Sequence, residues 1–219
     1  CKSAPAYTSK NFVYFDNIKL SNGTTSIDEI QYRIRPTSSD SKVAIVDDFE
    51  RYTGNVSSGW LMTDLEYVEL ALENDGNNYM KMKYKGNSNS VSYSSGLLVD
   101  STVNQCKGIT LELKGDDVAT VYINIYMVYA GTTYKFRATI NAVASSWKKY
   151  SIGFDTSNFP CIEGGSSQVL NKDKVPYITK ISFGIVNTVN SNESYVCVDN
   201  IKFDGNISYG TNTSVAVER

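Results

Sequence analysis

Two tyrosines and an amide alternate with apolar residues in Val121-Tyr-Ile-Asn-Ile-Tyr-Met. In an extended chain Tyr122, Asn124 and Tyr126 share one face, and Val121, Ile123, Ile125 and Met127 share the other. A turn at Ala130-Gly-Thr-Thr leads into Tyr134-Lys-Phe-Arg-Ala-Thr-Ile, whose alternation turns Lys135, Arg137 and Thr139 outward beside them. Flat aromatic rings next to planar donors and acceptors are the groups that grip a sugar ring, whose apolar faces are edged by hydroxyls. The competing reading is an ordinary solvated sheet face, where Tyr and Arg are common cross-strand partners. Trp60, following Gly59, belongs either to the core or to the edge of a cleft. Trp147 reads as core, because Tyr150, Ile152 and Phe154 follow it at strand spacing.

Catalytic chemistry has little to draw on. The chain has no histidine, which removes Ser-His-Asp and Cys-His catalysis and histidine-ligated metals. Carboxylate pairs occur at Asp47-Asp48, Asp116-Asp117 and Glu66/Glu69. A glycosidase needs two carboxylates facing each other across a cleft, whereas adjacent strand residues point to opposite faces and Asp116-Asp117 sits in a turn. Cys1, Cys106, Cys161 and Cys197 match no zinc spacing and read as idle or buried thiols. A net charge of −2 gives no basic footprint for nucleic acid, and no apolar run is long enough for a membrane span. The five Asn-x-Ser/Thr sequons, at Asn22, Asn55, Asn192, Asn206 and Asn212, are expected by chance in a chain this rich in Asn, Ser and Thr.

The elements that would hold such a face are strands. Sixteen tyrosines, four prolines and almost no helical periodicity predict an all-β domain of antiparallel strands, a sandwich or a barrel. Further strands are expected at Tyr79–Tyr84, Gly108–Leu113, Trp147–Phe154, Ile178–Ile185 and Tyr195–Phe203, separated by turns such as Asn74-Asp-Gly-Asn-Asn and Lys114-Gly-Asp-Asp. Ile30-Gln-Tyr-Arg-Ile-Arg has the composition of a further short strand. Phe12-Val-Tyr-Phe-Asp-Asn-Ile-Lys-Leu returns as Tyr195-Val-Cys-Val-Asp-Asn-Ile-Lys-Phe, its aspartates 183 positions apart. That period points to tandem domains. Residues 1–20 then read as the C-terminal remnant of an upstream homologous module, 21–42 as a linker, 43–205 as one sandwich and 206–219 as a linker tail.

Val46-Asp-Asp-Phe-Glu, Gly59-Trp60, Gly76-Asn-Asn-Tyr-Met-Lys-Met, Trp147-Lys-Lys-Tyr-Ser-Ile and Val198-Asp-Asn-Ile, in that order, resemble the β-sandwich carbohydrate-binding modules of bacterial polysaccharide hydrolases. The resemblance is nearest to family 11 and its relatives, families 4, 16, 22 and 27, and covers about 160 residues. It implies a jelly-roll, galactose-binding-like sandwich and a non-catalytic module that targets a linked glycoside hydrolase to a β-linked plant glucan or mannan. It also implies structural calcium held by Glu50 and Asp199, with Asp75, Asn77 or Asn78 as partners, a demand that hard oxygen ligands would meet. Tyr122, Asn124, Tyr126, Lys135, Arg137 and Trp60 would meet the oligosaccharide or polysaccharide. The protein would be extracellular, secreted or attached to the cell surface, with covalently linked neighbouring modules and no nucleic-acid or membrane partner. A structural or adhesin-type sandwich without a sugar site, and a polysaccharide-cleaving enzyme, are the alternatives.

Overall fold

The computed structural model describes residues 33–34, 36–37, 40–50, 60–62, 68–84, 89–93, 98–99, 105–117, 119–187 and 194–218. The motif at 12–20, and the upstream remnant expected there, lie outside them.

Two mixed-length antiparallel sheets carry the fold. The first has six strands in the order β13 (Cys161–Glu163), β11 (Thr132–Ile140), β10 (Ala119–Tyr129), β14 (Ile178–Asn187), β7 (Asn89–Tyr93) and β4 (Trp60–Met62). The second runs β16 (Asn212–Ala216), β12 (Lys148–Gly153), β9 (Gly108–Lys114), β15 (Ser194–Asp204), β3 (Asp40–Asp47) and β2 (Pro36–Thr37), with β6 (Asn78–Tyr84) also on β15 and β5 (Val68–Asn74) on β6. A separate parallel pair joins β1 (Arg33–Ile34) to β8 (Leu98–Val99).

The alternation read from the sequence is the alternation of burial. Val121, Ile123, Ile125 and Met127 of β10, with Ile181, Phe183 and Ile185 of β14, are fully buried, and so are Ile109, Leu111 and Leu113 of β9. They form one core with Met80 and Met82 of β6 and with Val196, Val198, Ile201 and Phe203 of β15. Burying an aliphatic or aromatic side chain of this size contributes about 1.5–3 kcal/mol, so the pattern fixes which face of each strand turns inward.

Strand β15 breaks its own alternation. Val196 and Val198 are buried, and so are Ile201 and Phe203, one residue out of phase. The pairing with β9 shifts register between Asp199 and Lys202, and Asn200 takes the left-handed conformation with φ 51°. This is a β-bulge: one extra residue turns the second half of the strand so that its apolar side chains also face inward. The bulge coincides with a change of neighbour, because β15 pairs with β6 through Ser194–Val198 and with β3 through Ile201–Asp204.

The C-terminal residues do not form the expected linker tail. Strand β16 pairs with β12 from Lys148↔Ala216 to Ile152↔Asn212, and Ile207 is buried. Ordered pairing likewise begins before residue 43, in β2 and at Asp40, so part of the expected 21–42 linker belongs to the sheet. Polar composition suggested a linker at both places, yet an edge strand has only one neighbour and needs few apolar residues.

Asp155 anchors the approach to β16. Its Oδ1 accepts bonds from the Ser157 and Asn158 backbone N–H groups, both at 2.9 Å, and its Oδ2 accepts one from Gly210 N at 2.7 Å. The Asn158 side chain donates to Asp155 Oδ2 at 3.0 Å and to the Thr211 carbonyl at 3.0 Å. Burial pushes the Asp155 carboxyl up, but the bonds from Ser157, Gly210 and Asn158 outweigh it and hold the group below its ordinary value. A depressed folded value stabilises the fold above the unfolded carboxyl value of about 3.9, and that stability is lost as pH falls through the lower, folded value. Replacing Asp155 by Asn is expected to cost about 1–2 kcal/mol at neutral pH. Urea denaturation should show the gap between wild type and variant closing below about pH 4; an equal gap at pH 3 and pH 7 would refute the role assigned to the carboxylate.

Candidate functional site

The outer face of the six-stranded sheet collects the polar residues that alternate with its core. Strand β10 is flanked on both sides, so each outward residue has two lateral neighbours. Asn124 lies between Arg137 and Ser182, Tyr126 between Lys135 and Lys180, and Tyr122 between Thr139 and Gly184. Ser182 and Gly184 in turn face Ser92 and Ser90 of β7 in the register.

The middle row is bonded across three strands. Arg137 Nε donates to Asn124 Oδ1 at 2.8 Å, and Asn124 Nδ2 donates to Ser182 Oγ at 3.1 Å. Asn124 and Ser182 are buried, at 3% and 2% exposure, so on this face they form a floor and Arg137 rises from it. Buried amide and hydroxyl groups that are fully bonded lose little and set geometry.

Cations lie on both tyrosines. The Arg137 guanidinium sits 4.4 Å from the Tyr122 ring centre, while Lys180 Nζ and Lys135 Nζ lie 4.7 and 5.4 Å from that of Tyr126. These distances are within the range of cation–π attraction. Gly184 opposes Tyr122, and a Cβ there would meet the Tyr122 side chain at 3.4 Å, an ordinary contact distance. Lys135 also pairs with Glu163 of β13 at 2.7 Å, a bond that raises its pKa above the usual lysine value. At the far end of β10, Lys174 stands 3.0 Å from the Tyr129 ring centre and Tyr177 packs edge-on against Tyr129 at 5.0 Å.

Five of the six expected ligand residues therefore come together, and Trp60 does not. Trp60 is 1% exposed, stacks on Phe183 at 5.5 Å and donates its indole N–H to Asp47 Oδ2 at 2.8 Å. Its burial decides between core and cleft edge in favour of the core and takes it off the expected ligand face: a buried indole needs an acceptor, and Asp47 supplies one. Trp147 packs away from the main core, edge-on to Tyr79 at 5.1 Å, with Cys197, Tyr195 and Val217 around the pair. Sequence reading missed Lys180, Ser182 and Gly184. Their alternation with Ile181, Phe183 and Ile185 was visible, but nothing local says that β14 lies beside β10.

The expected metal ligands gather around the Asn74–Asn78 turn. Glu50 Oε1 accepts from Asn78 N at 2.9 Å, and Asp199 Oδ2 accepts from Asn77 Nδ2 at 2.7 Å. Asp199 is wholly buried and also takes the Asn200 backbone N–H at 2.6 Å. Asp75 is exposed in the same turn, where Gly76 has φ 108° and its N–H meets Asn74 Oδ1 at 2.8 Å. Among the described residues no three carboxylates, thiols or imidazoles converge, so a cation here would draw on amide and backbone oxygens as well.

Three of the acids in adjacent pairs serve the backbone. Asp47 Oδ1 accepts from Phe49 N at 3.0 Å, Asp116 from Ala119 N at 3.2 Å, and Asp117 from Ser145 N at 2.9 Å. Cys161 and Cys197 are free thiols, Cys106 donates to the Lys42 carbonyl at 3.2 Å, and burial pushes Cys197 up to about 12, out of the reactive range. No helix among the described residues is long and apolar enough to cross a membrane.

No family model and no curated protein matches the chain. Solved structures do. The chain is similar to the family 11 carbohydrate-binding module of the cellulosomal cellulase Lic26A-Cel5E of Clostridium thermocellum, with TM-score 0.52 and 21% identity over 76% of this chain and 96% of that one. It is also similar to the family 11 module from Clostridium thermocellum in complex with a β-1,3-1,4-mixed-linked tetrasaccharide, with TM-score 0.52 and 22% identity, covering 74% of this chain and 95% of that one. An exo-β-agarase matches with TM-score 0.53 and 14% identity over 75% of this chain and 25% of that chain. The fold is thus the β-sandwich found in family 11 carbohydrate-binding modules, as the sequence resemblance implied.

If Trp60 is the bonded core residue described, Trp60→Phe leaves Asp47 Oδ2 without its indole donor and costs about 1–3 kcal/mol. Calorimetry should record a lower melting temperature, whereas a solvent-facing Trp60 would leave it unchanged.

Proposed function

We propose that the chain is a non-catalytic carbohydrate-binding module that lays a β-linked polysaccharide along the outer face of β10, β11 and β14. The observation that carries this reading is the cross-strand floor Arg137–Asn124–Ser182 lying between Tyr122 and Tyr126. Planar and hydroxylic groups fixed beside aromatic rings supply the bonding and stacking that a chain of sugar rings requires. The sandwich fold shared with family 11 modules supports the reading. Asp47, Asp116 and Asp117 hold backbone N–H groups at turns, which favours binding over cleavage.

On this reading the module works in an extracellular, modular protein, where it keeps a linked glycoside hydrolase at high effective concentration on its substrate. A β-linked glycan backbone, whose rings present flat apolar faces, suits the two tyrosines. Tyr122→Ala together with Tyr126→Ala is expected to weaken binding to a retained polysaccharide by about ten-fold or more, since each stacked ring contributes on the order of 1 kcal/mol or more. Affinity electrophoresis in gels holding mixed-linkage β-glucan, glucomannan or xylan measures this; undiminished retardation of the double variant would refute the site.

The same proposal includes a structural calcium at Glu50 and Asp199, with oxygens from the Asn77 and Asn78 region completing the shell. The residues fit by type, since the two carboxylates meet one short turn and a hard cation takes carboxylate and amide oxygens alike. Bound there, calcium would neutralise the buried Asp199 charge and tie the end of β3 to β15. Calcium at about a hundred-fold over its dissociation constant adds about 2.7 kcal/mol, which corresponds to a melting temperature roughly 5–10 °C higher than in a strong chelator. Identical melting curves with calcium and with chelator would remove the metal from the proposal.

A further inference from the structure

The candidate face differs from a bare aromatic platform in one respect: its rings are already partnered. Arg137 lies on Tyr122, and Lys135 and Lys180 flank Tyr126 from the strands on either side. A ligand approaching this face meets a guanidinium and two ammonium groups along with the rings. A cation stacked on a ring keeps its N–H groups free at the edge for a further acceptor. Among the described residues, Glu163 meets these cations, paired with Lys135 at the β13 edge and itself 61% exposed. The chain as a whole carries a formal charge of −2, so the concentration of positive charge is a property of this face.

Resting on the carbohydrate-binding reading above, we infer that the ligand is an acidic polysaccharide whose sugar carboxylates are bound by Arg137, Lys180 and Lys135. A neutral glucan or mannan offers these three groups no counter-charge, so displacing their water would bring little return. A uronate does offer it, in a planar form. Arg137 suits that shape, because its Nε is committed to Asn124 Oδ1 and the guanidinium plane is thereby fixed. A fixed planar donor edge favours a planar carboxylate acceptor. Lys180, held across β10 from Lys135, gives a second positive point on the other side of Tyr126.

Affinity electrophoresis of the whole chain in gels of β-1,4-linked polymannuronate, highly esterified polymannuronate, cellulose sulfate and mixed-linkage β-glucan tests the inference. Polymannuronate is expected to retard the protein most, by at least about ten-fold in affinity over the esterified form. Raising the salt from about 0.05 to 0.5 M should weaken that binding by about ten-fold or more, because partly exposed charges are screened. Lys180→Met, checked for an unchanged melting temperature, should lose about five- to ten-fold on polymannuronate, and Arg137→Met should lose at least as much. Equal retardation by polymannuronate and its ester, or tighter binding of cellulose sulfate, would overturn the carboxylate assignment and leave the carbohydrate-binding reading standing. Retardation by none of the four would overturn both.

Discussion

One strand must serve two neighbours on the same side, and much of the molecule follows from how it does so. β15 bonds to β6 along its first half and to β3 along its second, while β9 runs beside both halves. A regular strand could not keep its apolar side chains inward through such a handover if the register slipped by one, because a one-residue slip turns every side chain to the opposite face. The bulge at Asp199–Asn200 absorbs the slip. Asn tolerates the left-handed conformation better than other non-glycine residues, and the Asp199 carboxylate accepts the Asn200 N–H that the ladder no longer uses. Val198 and Ile201 thus both reach the core.

The same junction organises its surroundings. β3 ends in Asp47, which bonds Phe49 N and the Trp60 indole, and Phe49 has φ 58°. Trp60 then packs between Phe49 and Phe183. Phe183 belongs to β14, whose opposite face carries Lys180, Ser182 and Gly184. The handover point is therefore connected through packed rings to the inner side of the candidate face. The connection is one of rigid support: inner-face packing fixes the strand positions on which the outer-face residues stand.

How much was legible depended on the range of the information. Alternation is local, so the facing of β10, β11 and β14 could be read directly, and Val121 to Met127 are buried as their spacing requires. The bulge was also written locally, as the out-of-phase step from Val198 to Ile201, although the sequence reading did not look for one there. Strand adjacency was not legible. Hairpin partners such as β10 and β11 follow from a short turn, but β14 reaches β10 across the intervening β12, β13 and a 3-10 helix at Lys172–Tyr177, and so Lys180 and Ser182 could not be assigned to the site. Trp60 stood between core and cleft edge for a related reason. An indole beside a glycine looks like a surface platform until its acceptor is known, and Asp47 lies 13 residues away. The edge strand β16 was hidden by composition, since all five of its residues are exposed.

The bonded floor also bears on how such a face would work. Long cationic side chains ordinarily lose about 1.5–2 kcal/mol of rotamer freedom when a ligand fixes them. Arg137 has lost part of that freedom already, through its bond to Asn124 and its contact with Tyr122, and Lys135 through its bond to Glu163. The cost is met during folding, where core burial on the inner face of the same strands supplies the driving force. Binding then gains from order that the sheet has already established. This is why the inward and outward sets of β10 are best regarded as one design: the apolar residues hold the strand flat and in register, and a strand so held can keep tyrosines, amide and cations at the spacing its neighbours dictate.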